Sequence, residues 1–513
     1  MTSDPQIPLE EFVELAQFKL DRDTIRSLSF DFCSKRGVVV LGELGADGVP
    51  ATVGMLVPQD LDTVDSLEAA LGRPVRPVRL HRHEIDRALA AGYPPIETPT
   101  KRGTIRLRPV RRVSYRPGRE ADRLVREAIA QAITLGASDV HFECYRDDLD
   151  VRVRLDGVLR QVSTPIAQDQ ASATISYLKV LAGLDIAERR RSQDGRILAL
   201  FDDEKGETRE IDLRLSVLPG PHGEDAVVRV LDSSRADLGL EALGFDTDTA
   251  RSLRDLVASP EGMFLITGPT GSGKTTTLYS ALGDINHEGN KLLTVENPIE
   301  YELPKANQKQ VSPVMGFADY ARAFLRQDPD VLMIGEIRDE ETAGLAIRAA
   351  QTGHLVLSTL HTRDSVGAVP RLTTLGADPA LISDALLGVL AQRLVRRICP
   401  ECREEAEPDP RLLARLGLPA PDFPIFHGRG CEACLDDGYR GRVGIFELFL
   451  IDGEASDQIA AGTPPHGIRR EARLRGMRTL LDDALGKLES GTTSLAEIAR
   501  HIPYGVARDR SSG

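Results

Sequence analysis

Tryptophan is absent from this chain of 513 residues, and aromatic side chains make up only 4% of it. Proteins that grip single-stranded nucleic acid stack its bases on aromatic rings, so that class is disfavoured. Positive charge is short as well: 64 Lys and Arg stand against 78 Asp and Glu, a formal charge of −14. Such a balance does not suit a protein coated in nucleic acid, although a local basic groove stays open. Six cysteines in the whole chain are too few for a disulfide scaffold. No apolar run nears the ~18 residues that a membrane helix needs. The opening MTSDPQIPLEEFVEL puts acids ahead of any apolar stretch, unlike a secretory signal. The chain is expected in the cytoplasm.

What is present reads as several domains. Residues 1–93 predict a small α/β domain around the strand-like Gly37-Val38-Val39-Val40-Leu41, punctuated by Gly48, Pro50 and Pro58. Residues 94–117 are rich in Pro and Arg and carry no helical period. They read as a solvated linker, with a basic strip that docks on phosphate or anionic lipid as the alternative. Residues 118–235 predict an α+β domain. ADRLVREAIAQAITLG spaces Leu124, Ala128 and Ala132 as a helix face; VRVRLDGVLRQV alternates as a hairpin turning at Asp156-Gly157. A second strand pair turns between Pro219 and Gly223. Over residues 236–397, MFLITG, KLLTVE, VLMIGE and HLVLSTL are short apolar strands, each followed by a helix-length stretch. That alternation predicts a mostly parallel sheet covered on both faces. A cysteine segment at 398–440 and a helical region at 441–513 complete the chain.

Gly268-Pro269-Thr270-Gly271-Ser272-Gly273-Lys274-Thr275 satisfies G-x-x-x-x-G-K-[ST] and lies between a strand and a helix. Glycines let successive N–H groups curve around a phosphate, and the helix N-terminus, Thr276 included, adds its positive end. Lys274 would reach the β- and γ-phosphates, and the Thr275 hydroxyl would ligate Mg²⁺. Glu336 ends the next apolar strand and is placed to polarise the attacking water. Gly335 stands where many such enzymes carry a metal-binding Asp. Cys399, Cys402, Cys431 and Cys434 form C-x₂-C-x₂₈-C-x₂-C. Four thiolates so spaced suit a closed, tetrahedral Zn²⁺ site that is structural. Cys33 and Cys144 stand alone and read as buried thiols.

LITGPTGSGKTTTLY, TVENPIEY, LRQDPDVLMIGEIRDEETA and GHLVLSTLHT, in this order, resemble the secretion ATPases of type II secretion and type IV pilus assembly. SDVHFE, RLDGVL, SQDGRI, LRLSVLPGPHGE and the cysteine pairs extend the resemblance over about residues 118–500. It implies a RecA-like core preceded by a PAS-like α+β domain. It further implies a homo-hexameric ATPase at the inner-membrane face, working with a platform protein and a cytoplasmic adaptor. Within the acidic box Glu296 and Glu300 match, while Asn297 replaces an Asp; within the histidine box His361 would face the γ-phosphate, and His354 reads as structural. Arg363 replaces the usual Asn. By the same resemblance Arg196 and Arg214 are arginine fingers from the preceding domain, and Arg322 and Arg326 are two further family arginines.

The leading expectation is therefore ATP hydrolysis that drives pseudopilus assembly in type II secretion, with type IV pilus extension as the near alternative. A nucleic-acid motor and a nucleotide-regulated docking protein are the remaining classes; nucleic acid is not an expected partner. The first domain shows no clear cyclic-dinucleotide signature.

Overall fold

The computed structural model describes residues 12–28, 32–33, 36–42, 49–92, 103–108, 119–161, 166–203, 205–232 and 239–502. The chain divides into two compact units, residues 1–230 and 231–513.

In the first unit, Val38–Leu41 pairs antiparallel with Ala51–Met55, which runs parallel to Val75–Arg79. The helix Leu61–Leu71 makes the parallel crossover, starting at an Asp60 cap and ending on Gly72 at φ 67. Val39, Val53, Met55, Leu67 and Ile85 fill the core beneath this sheet.

An antiparallel sheet of eight strands follows in the same unit. Its helix Arg119–Leu135 coincides with the predicted amphipathic segment. The turn at Asp156-Gly157 is as expected: Leu155 faces Val158, and both turn residues have positive φ, 49 and 86, as a two-residue hairpin requires. One element departs from expectation. Thr104–Arg108, inside the stretch read as linker, is an edge strand paired with Gln193–Asp202. Its Ile105 and Leu107 are buried while Thr104 and Arg106 are exposed, a period of two hidden among arginines. Apart from Gly103, the rest of 94–117, including most of the basic strip, lies outside the described residues.

The second unit is built on a seven-stranded sheet. Across it run Asn307–Gln310, Leu292–Glu296, Val331–Ile334, Leu355–Leu360, Gly262–Thr267, Leu386–Ile398 and Tyr439–Leu450. Six strands are parallel and only Tyr439–Leu450 is antiparallel. The four predicted strands are its centre, and Gly262–Thr267 and Leu355–Leu360 are buried at every residue, as strands covered on both faces must be. One core packs Leu265, Val295, Ile334 and Val356 against the helix Glu340–Gln351; the other packs Phe264, Ile266 and Leu357 against the helix Lys274–Ile285.

The expected helical region at 441–513 does not begin as helix. Residues 439–450 pair with Leu386–Ile398, from Gly388 opposite Leu450 to Ile398 opposite Tyr439. The helices Gly453–Ala460, Pro465–Leu474, Leu480–Glu489 and Leu495–His501 come after. The cysteine segment is thus an insertion at the far end of this strand pair.

Candidate nucleotide site and cysteine cluster

The loop Gly268–Gly273 joins the strand Gly262–Thr267 to the helix Lys274–Ile285. Gly271 and Gly273 have φ of 78 and 85, in the left-handed region where a side chain is strained. At Gly268 a Cβ would come 2.5 Å from the Gln392 carbonyl, so no other residue fits. The Ser272 hydroxyl is buried and has no hydrogen-bond partner among the described residues. An orphaned hydroxyl inside a glycine cradle at a helix N-terminus fits a phosphate ligand. Lys274 Nζ folds back to the Gly268 and Pro269 carbonyls at 3.0 and 3.1 Å. Burial lowers the Lys274 pKa from its usual value, Glu336 opposes that shift and Arg393 adds to it. Thr275 and Thr276, the residues after Lys274, are half-buried on the first turn.

Glu336 is fixed by its neighbours' backbone. Gly335 N–H donates to Val295 O at 2.8 Å, Thr359 Oγ1 donates to Gly335 O at 2.7 Å, and Ile337 N–H donates to Thr359 O at 3.0 Å. A Cβ at position 335 would stand 3.1 Å from Val295 O and 3.4 Å from Glu296 Cα. This crowding accounts for a glycine where an Asp is usual. The Glu336 carboxylate sits between Arg338, which pairs with Oε1, and the His361 ring, whose Nε2 is 3.6 Å from Oε2. His361 is positioned by Thr267, whose hydroxyl donates to Leu360 O at 3.1 Å and accepts from Thr362 N–H at 2.8 Å. Lys274, Glu336 and His361 are thereby gathered around the carboxyl ends of adjacent parallel strands, where open α/β sheets bind ligands. Sequence reasoning passes over Arg338, although it lies two residues beyond Glu336 in GEIRDEE.

Other predicted residues are placed differently. Glu296 is buried, and its carboxylate accepts from Thr294 Oγ1 at 2.6 Å, from Gln308 Nε2 at 3.1 Å and from the Tyr279 hydroxyl. Tyr279 belongs to the helix that begins at Lys274, so Glu296 braces that helix. His354 Nδ1 lies 3.0 Å from Ala349 O, closing the end of the helix Glu340–Gln351. Arg322 pairs with Glu341 and, at 3.6 Å, with Asp319; Arg326 is exposed. Neither touches Lys274 or Glu336 among the described residues. Arg363 lends its carbonyl to Arg393 Nη2 at 2.6 Å. In the first unit Arg196 and Arg214 stand directly opposite each other on paired strands. Asp212 lies between them, 2.6 Å from Arg196 Nε and 3.9 Å from Arg214 Nε.

The four cysteine sulfurs converge. Cys399 and Cys431 Sγ are 3.8 Å apart, Cys402 and Cys434 3.8 Å, and Cys431 and Cys434 3.7 Å. Zn–S bonds of about 2.3 Å in a tetrahedron need S···S separations of about 3.8 Å. Backbone N–H groups of Cys431 and Gly438 both donate to Cys434 Sγ at 3.2 Å, the outer bonds that steady a metal-bound thiolate. The donor set fits Zn²⁺.

Comparison with known proteins agrees with this architecture. Residues 119–500 match the Type II/IV secretion system protein family, and residues 6–98 match the MshEN domain. The chain is 47% identical over 382 residues to type II secretion system protein E of Dickeya dadantii, spanning 74% of this chain and 75% of that one. It is 45% identical over 383 residues to the type IV pilus assembly ATPase PilB of Thermus thermophilus, where the match spans only 42% of the relative's length. With the PilB of Myxococcus xanthus the identity is 38% over 507 residues, covering 95% of this chain and 88% of the relative. Among solved structures, the ATPase DotB of Legionella pneumophila superposes with a TM-score of 0.54 at 22% identity, over 76% of this chain and 96% of DotB, which bears on the fold alone. With a phosphate loop, a gathered Glu–His pair and a four-cysteine cluster inside the matched range, the chain belongs to the Type II/IV secretion system protein family.

Proposed function

We propose that this chain binds ATP with Mg²⁺ at the Gly268–Thr275 loop and hydrolyses it to drive pseudopilus assembly in type II secretion. The gathering of Lys274, Glu336 and His361 at the strand ends carries the reading. Loop N–H groups and Lys274 would hold the phosphates, and Thr275 would ligate Mg²⁺, which neutralises charge that develops on the transferred phosphoryl group. Glu336, steadied by Arg338 and His361, would orient the attacking water. Glu296 would support the loop helix through Tyr279. Arg196, Arg214, Arg322 and Arg326 would supply the remaining cations from within the chain or from a neighbouring copy. The four cysteines would hold a structural Zn²⁺.

The working form we infer is a homo-hexamer at the cytoplasmic face of the inner membrane, attached through a platform protein and an adaptor. Among the described residues no helix is long and apolar enough to cross a membrane. A second reading, type IV pilus extension, is favoured by the 95% coverage in the match to the Myxococcus protein. Complementation of strains lacking either system separates the two. Hydrolysis stimulated by DNA, with steep salt dependence, would instead indicate a nucleic-acid motor.

A further inference from the structure

Gln392 lies on the strand Leu386–Ile398, beside the strand that leads into the phosphate loop, with Ala391 opposite Thr267. It is 2% exposed, an unusual place for a carboxamide unless both ends are satisfied. Both are. Gln392 Nε2 donates to Ser272 O at 2.7 Å, and Oε1 accepts from the fully buried Thr277 Oγ1 at 2.8 Å. A Cβ at Gly273 would come 2.9 Å from Nε2, and one at Gly268 would come 2.5 Å from the Gln392 carbonyl. Residue 392 therefore touches the loop at its first glycine through main chain and at its last turn through side chain. The neighbouring Arg393 donates from Nη1 to that same carbonyl at 2.9 Å and from Nη2 to Arg363 O at 2.6 Å, extending the contact to the segment after His361.

We propose that Gln392 is a positioning residue for the phosphate loop, holding the Ser272–Gly273 peptide so that its N–H faces the phosphate. The reason is peptide geometry. In a planar trans peptide the C=O and N–H point in opposite directions. Fixing the Ser272 carbonyl toward Gln392 fixes the Gly273 N–H on the other side, into the cradle. Without that donor the carbonyl can rotate, and the anion site loses a preset dipole. The inference rests on the nucleotide-binding reading above.

Nucleotide titration of the full-length chain with a fluorescent ADP analogue tests it, using Gln392→Leu and Gln392→Glu. Gln392→Leu removes both hydrogen bonds and is expected to weaken affinity about tenfold or more, the scale of one lost buried bond with an orphaned partner. Gln392→Glu keeps the shape and the bond from Thr277, but at pH 8 presents a carboxylate to Ser272 O. Burial raises a carboxyl pKa, so lowering the pH from 8 to 6 protonates it and restores a donor. At pH 6 its affinity should approach wild type and exceed that of Gln392→Leu, which carries neither charge nor donor, so that loss of the negative charge beside the phosphates does not by itself account for the recovery. Wild-type affinity for Gln392→Leu, or a Gln392→Glu deficit independent of pH, would overturn the proposal while leaving the site reading intact. A wild-type chain that binds no nucleotide would overturn the site reading and this proposal with it.

Discussion

His361 Nε2 stands 3.6 Å from Glu336 Oε2, across two strands that pair directly, with Ile334 opposite Ser358. The pairing explains why residues 25 positions apart in sequence share one carboxylate: each follows the end of its strand, and parallel neighbours end on the same side. Glu336→Gln keeps the shape and removes the base. Its turnover should fall at least ~100-fold while ATP binding persists. Single-turnover hydrolysis alongside equilibrium binding checks this, and turnover at the wild-type rate would remove Glu336 from its role.

The cysteine cluster should hold about one zinc per chain, because its four sulfurs lie within 4.8 Å of one another and three of their separations, 3.7 to 3.8 Å, are those of tetrahedral zinc. Cys431→Ser should lower zinc content and thermal stability together and leave nucleotide binding in place. Elemental analysis beside a melting curve is the check; native protein of normal stability without metal would contradict it.

Arg196 and Arg214, opposite each other with Asp212 between them, place two cations beside one carboxylate. If Arg214 acts on the phosphoryl group as a finger, Arg214→Ala should slow turnover ~10³-fold with little loss of ATP binding. Mixing this variant with Lys274→Ala in one ring separates the sources. Recovered activity means the arginine reaches a neighbouring copy, whereas no recovery favours closure within one chain, our expectation because its domain directly precedes the loop. Near-normal turnover by Arg214→Ala alone would defeat both versions.

Glu497 gives a pH dependence of stability with a definite sign. Burial works to raise its carboxyl, but hydrogen bonds from His501 and Arg396 outweigh that and hold it at about 2, below the usual 4.5. A depressed carboxylate stabilises the fold fully above its unfolded pKa and loses that contribution as pH falls. The loss should run from about 4.5 down to about 2. Glu497→Gln should therefore destabilise the second unit at neutral pH and flatten its acid unfolding over that window, as followed by circular dichroism. An unchanged acid profile would show that the ion pair contributes nothing.

Much of the fold and the site is legible in the amino-acid sequence itself. Parallel strands buried on both faces read as uninterrupted apolar runs, so MFLITG, VLMIGE and HLVLSTL mark the sheet centre. The phosphate loop and the cysteine pairs are local in sequence and legible for that reason. The strand at Tyr439–Leu450 escapes such a reading because its partner, Leu386–Ile398, lies across the cysteine insertion. Thr104–Arg108 is masked by arginines in and around it. Gln392, Gln308 and Arg338 stay hidden because their meaning lies in their partners. Gln392 meets Ser272 across 120 residues, a distance no motif spacing conveys.

Steady-state ATP hydrolysis by the purified full chain with Mg²⁺, compared with Lys274→Ala, tests the central claim most directly. The wild-type chain should hydrolyse ATP. The variant should not, because the phosphates lose their fixed cation while Glu336, His361 and the cysteine cluster stay in place. Equal hydrolysis by the two proteins, or none by the wild type with Mg²⁺ and nucleotide in excess, would contradict the assignment of this loop as the site of ATP turnover.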